Sequence, residues 1–472
     1  MNKTKIVATL GPATSTPEML LALAKAGVNV FRINFSHGKH SDVVPTIKAV
    51  RKLNADHGLN LGLLGDLQGP KLRVGDVAEG TILQPGQKFT FTNTPCVGDS
   101  SKAYMTYDQF PRDVKVGETI LVDDGKLLFK VVETDLQSTV TTEVIQGGPL
   151  KSKKGVNLPN TQVSLPCLTE KDLADLEFAL LYELEWIGLS FVRSAADVHE
   201  LREMIRQSGK PSRIVSKIEK PEAVADLDAI IEATDAVMVA RGDLGVEVPL
   251  EQVPLIQKRI VNKCLVAAKP VIIATQMMES MITSMTPTRA EVNDVANAVL
   301  DGADAVMLSA ETSVGAYPIE TVSTMASIIR QVESEGLVAH TLEDHPPRRE
   351  NDRYITNSIC YNAAKIADQV AATAILTMTH SGYTAFQISS HRPASNIYVF
   401  TANRSILNMV SLVWGAKGFY YDRLTTTDET FEDIKKIIQK AHLVEPGDLI
   451  IKIASMPIRE LGMTNMLKIS QV

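Results

Sequence analysis

Ala236-Val237-Met238-Val239-Ala240-Arg241-Gly242-Asp243 runs from five apolar residues into three suited to chemistry. The apolar run predicts a strand over 236–241, and Gly242-Asp243 opens a short helix whose first amides can hold an anion. Strand-like runs recur at 4–10, 30–34, 61–67, 186–191, 213–219, 270–276 and 305–310. Apolar-periodic helical stretches at 17–26, 194–207, 250–267 and 288–300 lie between them. With one long gap removed, this is the arithmetic of an α/β protein built on a (β/α)8 TIM barrel. An open doubly wound sheet is the alternative.

The gap divides the chain. Between Gly69 and Pro166, short alternating runs at 88–92, 119–122, 127–132 and 139–145 are punctuated by Pro85-Gly86, Asp124-Gly125 and Gly147-Gly148-Pro149. They predict an inserted all-β lid, a small β-barrel, hinged at the C-terminal side of the barrel strands. After about Leu337 comes a polar, Pro-rich linker (Glu343-Asp344-His345-Pro346-Pro347-Arg348-Arg349-Glu350). Runs at 354–367, 371–379, 396–401, 427–442 and 448–454 then predict a C-terminal α/β sandwich. The expected domains are 1–68 with 167–338 (catalytic barrel), 69–166 (lid) and 339–472 (regulatory domain).

Composition narrows the function classes. The 472 residues, about three domains' worth, are 44% hydrophobic and 22% charged, which excludes wholesale disorder. Lys+Arg 48 against Asp+Glu 55 leaves −7, so neither nucleic acid nor a membrane surface is an expected partner. No apolar run reaches the roughly 18 residues of a membrane span, and no signal-peptide core is evident, so a cytoplasmic protein is expected. The four cysteines form no CxxC pair, and P-loop, GxGxxG, HExxH and GxSxG motifs are missing. Cys264 reads as an inert thiol, Met277, Met278, Met281 and Met285 as core filler, and His57, His199 and His442 as residues of polar helices.

The strand ends carry the candidates. Strand two closes on Arg32-Ile33-Asn34-Phe35-Ser36-His37-Gly38, strand three on Asp66-Leu67-Gln68-Gly69-Pro70-Lys71-Leu72-Arg73, strand five on Ser216-Lys217-Ile218-Glu219. Strand seven gives Ala274-Thr275-Gln276, and strand eight Leu308-Ser309-Ala310-Glu311-Thr312. Alternation puts Lys217 and Glu219 on one face. Glu219 and Asp243, on neighbouring strand ends, can hold one Mg2+ whose other positions are filled by substrate oxygens. Lys217, Arg32 and Arg73 would meet phosphoryl oxygens, a sufficient set for phosphoryl transfer.

Thr4-Lys5-Ile6-Val7-Ala8-Thr9-Leu10-Gly11-Pro12, Asn34-Phe35-Ser36-His37-Gly38, Lys154-Gly155-Val156-Asn157-Leu158-Pro159, Ser216-Lys217-Ile218-Glu219, Met238–Gly245 and Pro287-Thr288-Arg289-Ala290-Glu291 together resemble the pyruvate kinase family along nearly the whole chain. The resemblance implies transfer of a phosphoryl group from phosphoenolpyruvate to ADP, giving pyruvate and ATP, in a homotetramer. It implies Mg2+ on Glu219 and Asp243, and Lys217 and Arg32 on the phosphoryl group. It further implies the pyruvate carboxylate on the amides around Gly242 and Asp243, Thr275 beside the carbon to be protonated, and Ser309 and Glu311 in the proton relay. Asn34, His37, Arg73 and Lys154 match nucleotide contacts. Many members read Asp-Thr-Lys-Gly-Pro-Glu at strand three and require K+, whose site maps to Asn34, Ser36, Asp66 and Leu67. Lys71 replaces that glutamate, so this chain resembles the branch that works without K+. A fixed ammonium there repels a second cation, on a scale of about 4 kcal/mol for unit charges 4 Å apart at an effective dielectric near 20. Thr379-His380-Ser381-Gly382-Tyr383-Thr384 matches the loop that receives an effector's phosphate, with Tyr383 where a basic residue is frequent. Two other readings remain: a Mg2+-dependent lyase or aldolase making a pyruvate enolate, which needs neither lid nor Arg73 nor Lys154, and a catalytically idle sensor working through its C-terminal domain.

Overall fold

The computed structural model describes the chain except for residues 1, 37, 337, 339–343, 350, 424–425 and 458–462. Eight parallel strands close a barrel: β1 (Lys5–Thr9), β2 (Val30–Asn34), β3 (Gly62–Asp66), β4 (Trp186–Leu189), β5 (Arg213–Ile218), β6 (Ala236–Ala240), β7 (Val271–Ala274) and β8 (Ala305–Leu308). Each pairs with its neighbour in chain order, and β1 pairs with β8 from Lys5–Ala305 to Ala8–Leu308. Closure removes every strand edge, which the open-sheet alternative leaves exposed.

Strand alternation sorts the side chains into two cores. Val7, Val30, Leu64, Val215, Met238, Ile272 and Met307 fill the barrel interior, while Ile6, Phe31, Leu63, Ile214, Val237 and Ile273 pack outward against the helices. Helices begin where the sequence supplies caps. Thr288 and Glu291 form a capping box for Arg289–Leu300, and Thr16 caps Pro17–Ala26. Among the described residues, no helix is long and apolar enough to cross a membrane.

The lid leaves after β3 and returns through the helix Glu170–Leu181 that precedes β4. Its six-stranded sheet runs Val156–Asn157, Thr119–Val122, Leu127–Thr134, Thr139–Gln146, Lys88–Thr92, Lys102–Tyr104. Single bridges Arg73–Gly155 and Val74–Met105 join its two edges through residues 73–74. Phe89, Phe91, Phe110 and Phe129 centre its separate core.

The C-terminal sheet, ordered 416–420, 396–401, 374–378, 449–454, 466–471, is parallel except for its last strand. It docks on the barrel's N-terminal face. There Arg392 pairs with Asp304 at 2.8 Å, both buried, and Lys5 Nζ donates to the Ala416 carbonyl at 2.8 Å. Lid and C-terminal domain therefore occupy opposite ends of the barrel.

Two expectations need correction. Met277, Met278 and Met281 are buried, but Met285 is 57% exposed and so does not fill the core. His442 follows the helix Thr427–Lys440 with φ 53°, outside it, whereas His57 and His199 are helical.

Candidate active site

The C-terminal ends of β2 through β8 bring most of the candidates together. Lys217 and Glu219, two residues apart on the β5 register, meet with Nζ 2.8 Å from Oε1. Lys217 Nζ also donates to Ser190 Oγ at 2.7 Å and lies 3.4 Å from Asp66 Oδ1. Asp66 in turn receives Arg32: Nε at 2.7 Å and Nη2 at 2.6 Å, both on Oδ2. Arg32 Nη1 donates to Thr9 Oγ1 at 3.0 Å. The buried Arg32, the largely buried Lys217 and two buried carboxylates thus interlock across β2, β3 and β5, where Coulomb forces are little screened.

Their ionisation follows from that packing. Burial opposes charging of Lys217, but the carboxylates of Asp66 and Glu219 outweigh it and hold the ammonium pKa above its ordinary value. For Asp66, burial is overcome by Lys217 and Arg32, and its pKa falls below the usual carboxylate range. For Glu219, burial wins: with the negative charge of Asp243 added, its pKa rises despite Lys217. A divalent cation held by Glu219 and Asp243 would relieve that stress. Glu219 Oε2 accepts from the Phe191 amide at 2.8 Å, which fixes the carboxylate's orientation. Among the described residues, no three His, Cys, Asp or Glu side chains gather for a metal. A two-carboxylate donor set fits a hard ion that takes its remaining oxygens from substrate and water.

After β6 the chain turns at once into the helix Arg241–Glu247. The Gly242 amide donates to Thr275 Oγ1 at 2.7 Å, and a Cβ on Gly242 would stand 3.3 Å from that oxygen. Thr275 and Gln276 have φ of 68° and 56°, a left-handed pair that a β-branched residue adopts only under constraint. Arg241 supplies the constraint, donating to the Thr275 carbonyl at 2.8 Å while paired with Asp294 at 2.7 Å. Glu311 adds another, accepting from the Met278 amide at 3.2 Å and the Ser309 amide at 2.7 Å. Burial raises the Glu311 pKa.

The remaining candidates spread outward. Asn34 Oδ1 accepts from the Ser36 amide at 3.1 Å, next to the Asp66 cluster, and His37 lies outside the described residues. Arg73 donates to the Lys153 carbonyl at 3.0 Å, and Lys154 pairs with Asp123 at 2.8 Å, both on the lid. Lys71 lines the cleft between lid and barrel with Asp243 and Lys220. At the far end of the molecule, Gly382 (φ 82°) opens the helix Tyr383–Ser390, its amide bonded to Thr379 Oγ1 at 3.0 Å. Tyr383 bonds Asn357 at 2.8 Å and Thr384 bonds Thr377 at 2.7 Å, while His380 and Ser381 face solvent. Arg213, at the N-terminal start of β5, donates to the Ser381 carbonyl at 2.9 Å.

Ser190 and Arg241 carry no role in the sequence reading. Ser190 was legible only as the end of strand four. Arg241 stood in a quoted motif, yet its task is to brace the neighbouring strand's turn, a contact that spacing along one strand does not reveal.

Two family models cover the chain: "Pyruvate kinase, barrel domain" over residues 1–322 and "Pyruvate kinase, alpha/beta domain" over 357–470. It is 42% identical to a pyruvate kinase of Mycobacterium intracellulare over 469 residues, covering 99% of this chain and 98% of that one. It is 43% identical to a pyruvate kinase of Corynebacterium glutamicum over 471 residues, covering 99% and 97%. The crystal structure of a pyruvate kinase from Cryptosporidium parvum superposes with a TM-score of 0.93 at 35% identity, covering 100% and 96%.

Proposed function

The chain belongs to the pyruvate kinase family, phosphotransferases that convert phosphoenolpyruvate and ADP to pyruvate and ATP, and we propose that it works through Arg32, Lys217, Glu219, Asp243 and Thr275 with Mg2+. The observation that carries this reading is Lys217 Nζ, held between Glu219, Ser190 and Asp66 at the barrel mouth. A permanently charged ammonium there meets the three oxygens of the phosphoryl group in flight. Arg32 stands behind it on Asp66 and meets the same group. Glu219 and Asp243 would hold Mg2+, which would supply charge neutralisation for the transferring group.

The other steps fall to this chain's own groups. The Asp243 amide receives the pyruvate carboxylate at a helix start, where partial positive charge accumulates, beside the Gly242 amide that is already bonded to Thr275. Thr275, locked by Gly242 and Arg241, presents its hydroxyl to the enolpyruvate carbon. Ser309 and Glu311 pass the proton toward it, Glu311 being able to hold a proton because burial raises its pKa. Asn34, His37, Arg73 and Lys154 bind the nucleotide between barrel and lid. Lys71 supplies positive charge in place of the K+ whose site maps to Asn34, Ser36, Asp66 and Leu67, so no monovalent cation is needed.

The loop 379–384 binds a phosphorylated effector in a cytoplasmic homotetramer. The presence of the lid and of Arg73 and Lys154 favours this reading over an enolate-forming lyase, and the intact strand-end set favours it over an idle sensor. Turnover of phosphoenolpyruvate with ADP and Mg2+, measured with and without K+, tests it. A protein that turns over only with K+ keeps the kinase and loses the role of Lys71.

A further inference from the structure

Glu247 ends the helix Arg241–Glu247, and its side chain is 1% exposed. Its Oε1 accepts two hydrogen bonds of 2.8 Å, from Lys220 Nζ and from Asn157 Nδ2. Its Oε2 is buried and has no partner among the described residues. A buried carboxylate oxygen without a donor is costly, so the carboxylate is held there by what its other oxygen does.

That oxygen joins three parts of the molecule. Lys220 follows Glu219 at the tip of β5. Glu247 shares a seven-residue helix with Gly242 and Asp243. Asn157 belongs to the lid: its strand pairs with Thr119–Val122 and starts the return toward the barrel. All three line the cleft between lid and barrel, together with Lys71 and Asp243. Among the described residues, the lid's other hydrogen bonds to the barrel lie on its connectors, where the Gly69 amide donates to Asp172 at 3.1 Å and Arg193 to the Val163 carbonyl at 2.7 Å. The Asn157–Glu247 bond instead grips the lid's own sheet.

We infer that Glu247 latches the lid, tying Asn157 to the two barrel elements that carry Glu219 and Asp243. The lid's angle over the cleft is then set from the elements that carry those carboxylates, which Lys220 and Glu247 hold together without the lid. Glu247 is a positioning residue. The inference rests on the proposed seat of the nucleotide in this cleft, and the lid position is read separately from nucleotide binding.

The test compares Asn157→Ala and Asn157→Asp with wild type. Cys96 is the one partly exposed cysteine, on the lid, the others being buried. A nitroxide there and another on Glu177→Cys, an exposed site on the helix Glu170–Leu181, report the lid-to-barrel distance. Asn157→Ala lengthens and broadens that distance and raises the KM for ADP at least about fivefold, the scale of one lost charge-assisted bond. Calorimetric affinity for phosphoenolpyruvate with Mg2+ stays within about twofold. Asn157→Asp, nearly isosteric, opens the lid further than Ala because it sets one carboxylate against another. A side chain that merely filled space would show the reverse order, and that order overturns the latch, as does a distance unchanged in both variants. A longer distance with unchanged KM for ADP keeps the latch and removes the nucleotide from this cleft. Should the Asn157 variants fail to fold, Glu247→Ala, which removes the acceptor, must lengthen the same distance; an unmoved lid there also overturns the inference.

Discussion

The Gly242 amide donates to the Thr275 hydroxyl across 2.7 Å, and with the bond from Arg241 to the Thr275 carbonyl this fixes the helix that follows β6 to the turn that follows β7. The hydroxyl in turn donates to its neighbour's carbonyl, Ala274, at 2.6 Å. Both bonds hold Thr275 in its left-handed conformation. Thr275→Ser keeps them and should retain activity within about tenfold. Thr275→Val keeps the shape and loses both bonds, and kcat should fall by roughly a hundredfold or more, about 3 kcal/mol of barrier. Gly242→Ala, which brings a methyl to 3.3 Å from the same oxygen, should reproduce part of that loss. A coupled assay of pyruvate formation measures all three; equal rates for Ser and Val would remove the hydroxyl from the reaction.

Lys217 is the only cation in contact with Glu219 among the described ion pairs, and it also shares Asp66 with Arg32. Lys217→Met should cost at least roughly three decades in kcat, about 4 kcal/mol. Because the change strips Glu219 of its counter-charge, Mg2+ affinity should rise rather than fall, which calorimetry with Mg2+ alone can read. A variant with wild-type turnover rejects Lys217 as the group that meets the phosphoryl oxygens.

Lys71 lines the cleft with Asp243, while Asp66, at the mapped cation site, is already held by Arg32 and Lys217. Rates in K+, Na+ and tetramethylammonium buffers of equal ionic strength should therefore agree within about twofold. Lys71→Glu reverses the local charge and should create a K+ requirement, with activity in tetramethylammonium falling at least about tenfold below that in K+. Strict K+ dependence of the wild type rejects the substitution of cation by lysine.

Much of this was legible because a barrel strand writes its chemistry at its end. Five apolar residues followed by Arg241-Gly242-Asp243 located β6, and alternation alone put Lys217 beside Glu219, which meet at 2.8 Å. What was not legible depends on closure. Ser190 reaches Lys217 only because β4 and β5 are neighbours, and Glu247 meets Asn157 across 90 residues of sequence. The C-terminal strands Ala416–Tyr420 and Met466–Gln471 escaped notice for a local reason. Ala-Lys-Gly-Phe-Tyr holds a glycine at its centre and Met466–Gln471 is an edge with exposed side chains, so neither shows a firm alternation.

Lys5 offers a test of how the C-terminal domain is held. It is 1% exposed at the base of β1, and its ammonium donates to the Ala416 carbonyl at 2.8 Å. Burial pushes its pKa down from 10.5 to about 8, with Glu333 and Asp304 opposing the shift and Lys417 adding to it. Below pH 8 the residue is charged both folded and unfolded, and the full cost of burying the charge weighs on the fold. Between about 8 and 10.5 the folded lysine sheds its proton while the unfolded one keeps it, so stability from this group rises with pH. The cost relieved is about 3 kcal/mol at most. Lys5→Met lacks this titration, so wild type should gain on it steadily from pH 8 to pH 10.5. Urea unfolding followed by the fluorescence of Trp414, which packs against Lys3 and Arg392 at this junction, measures the difference. A difference that stays constant across that range would mean that the Lys5 ammonium finds as much solvation at the interface as it does in water.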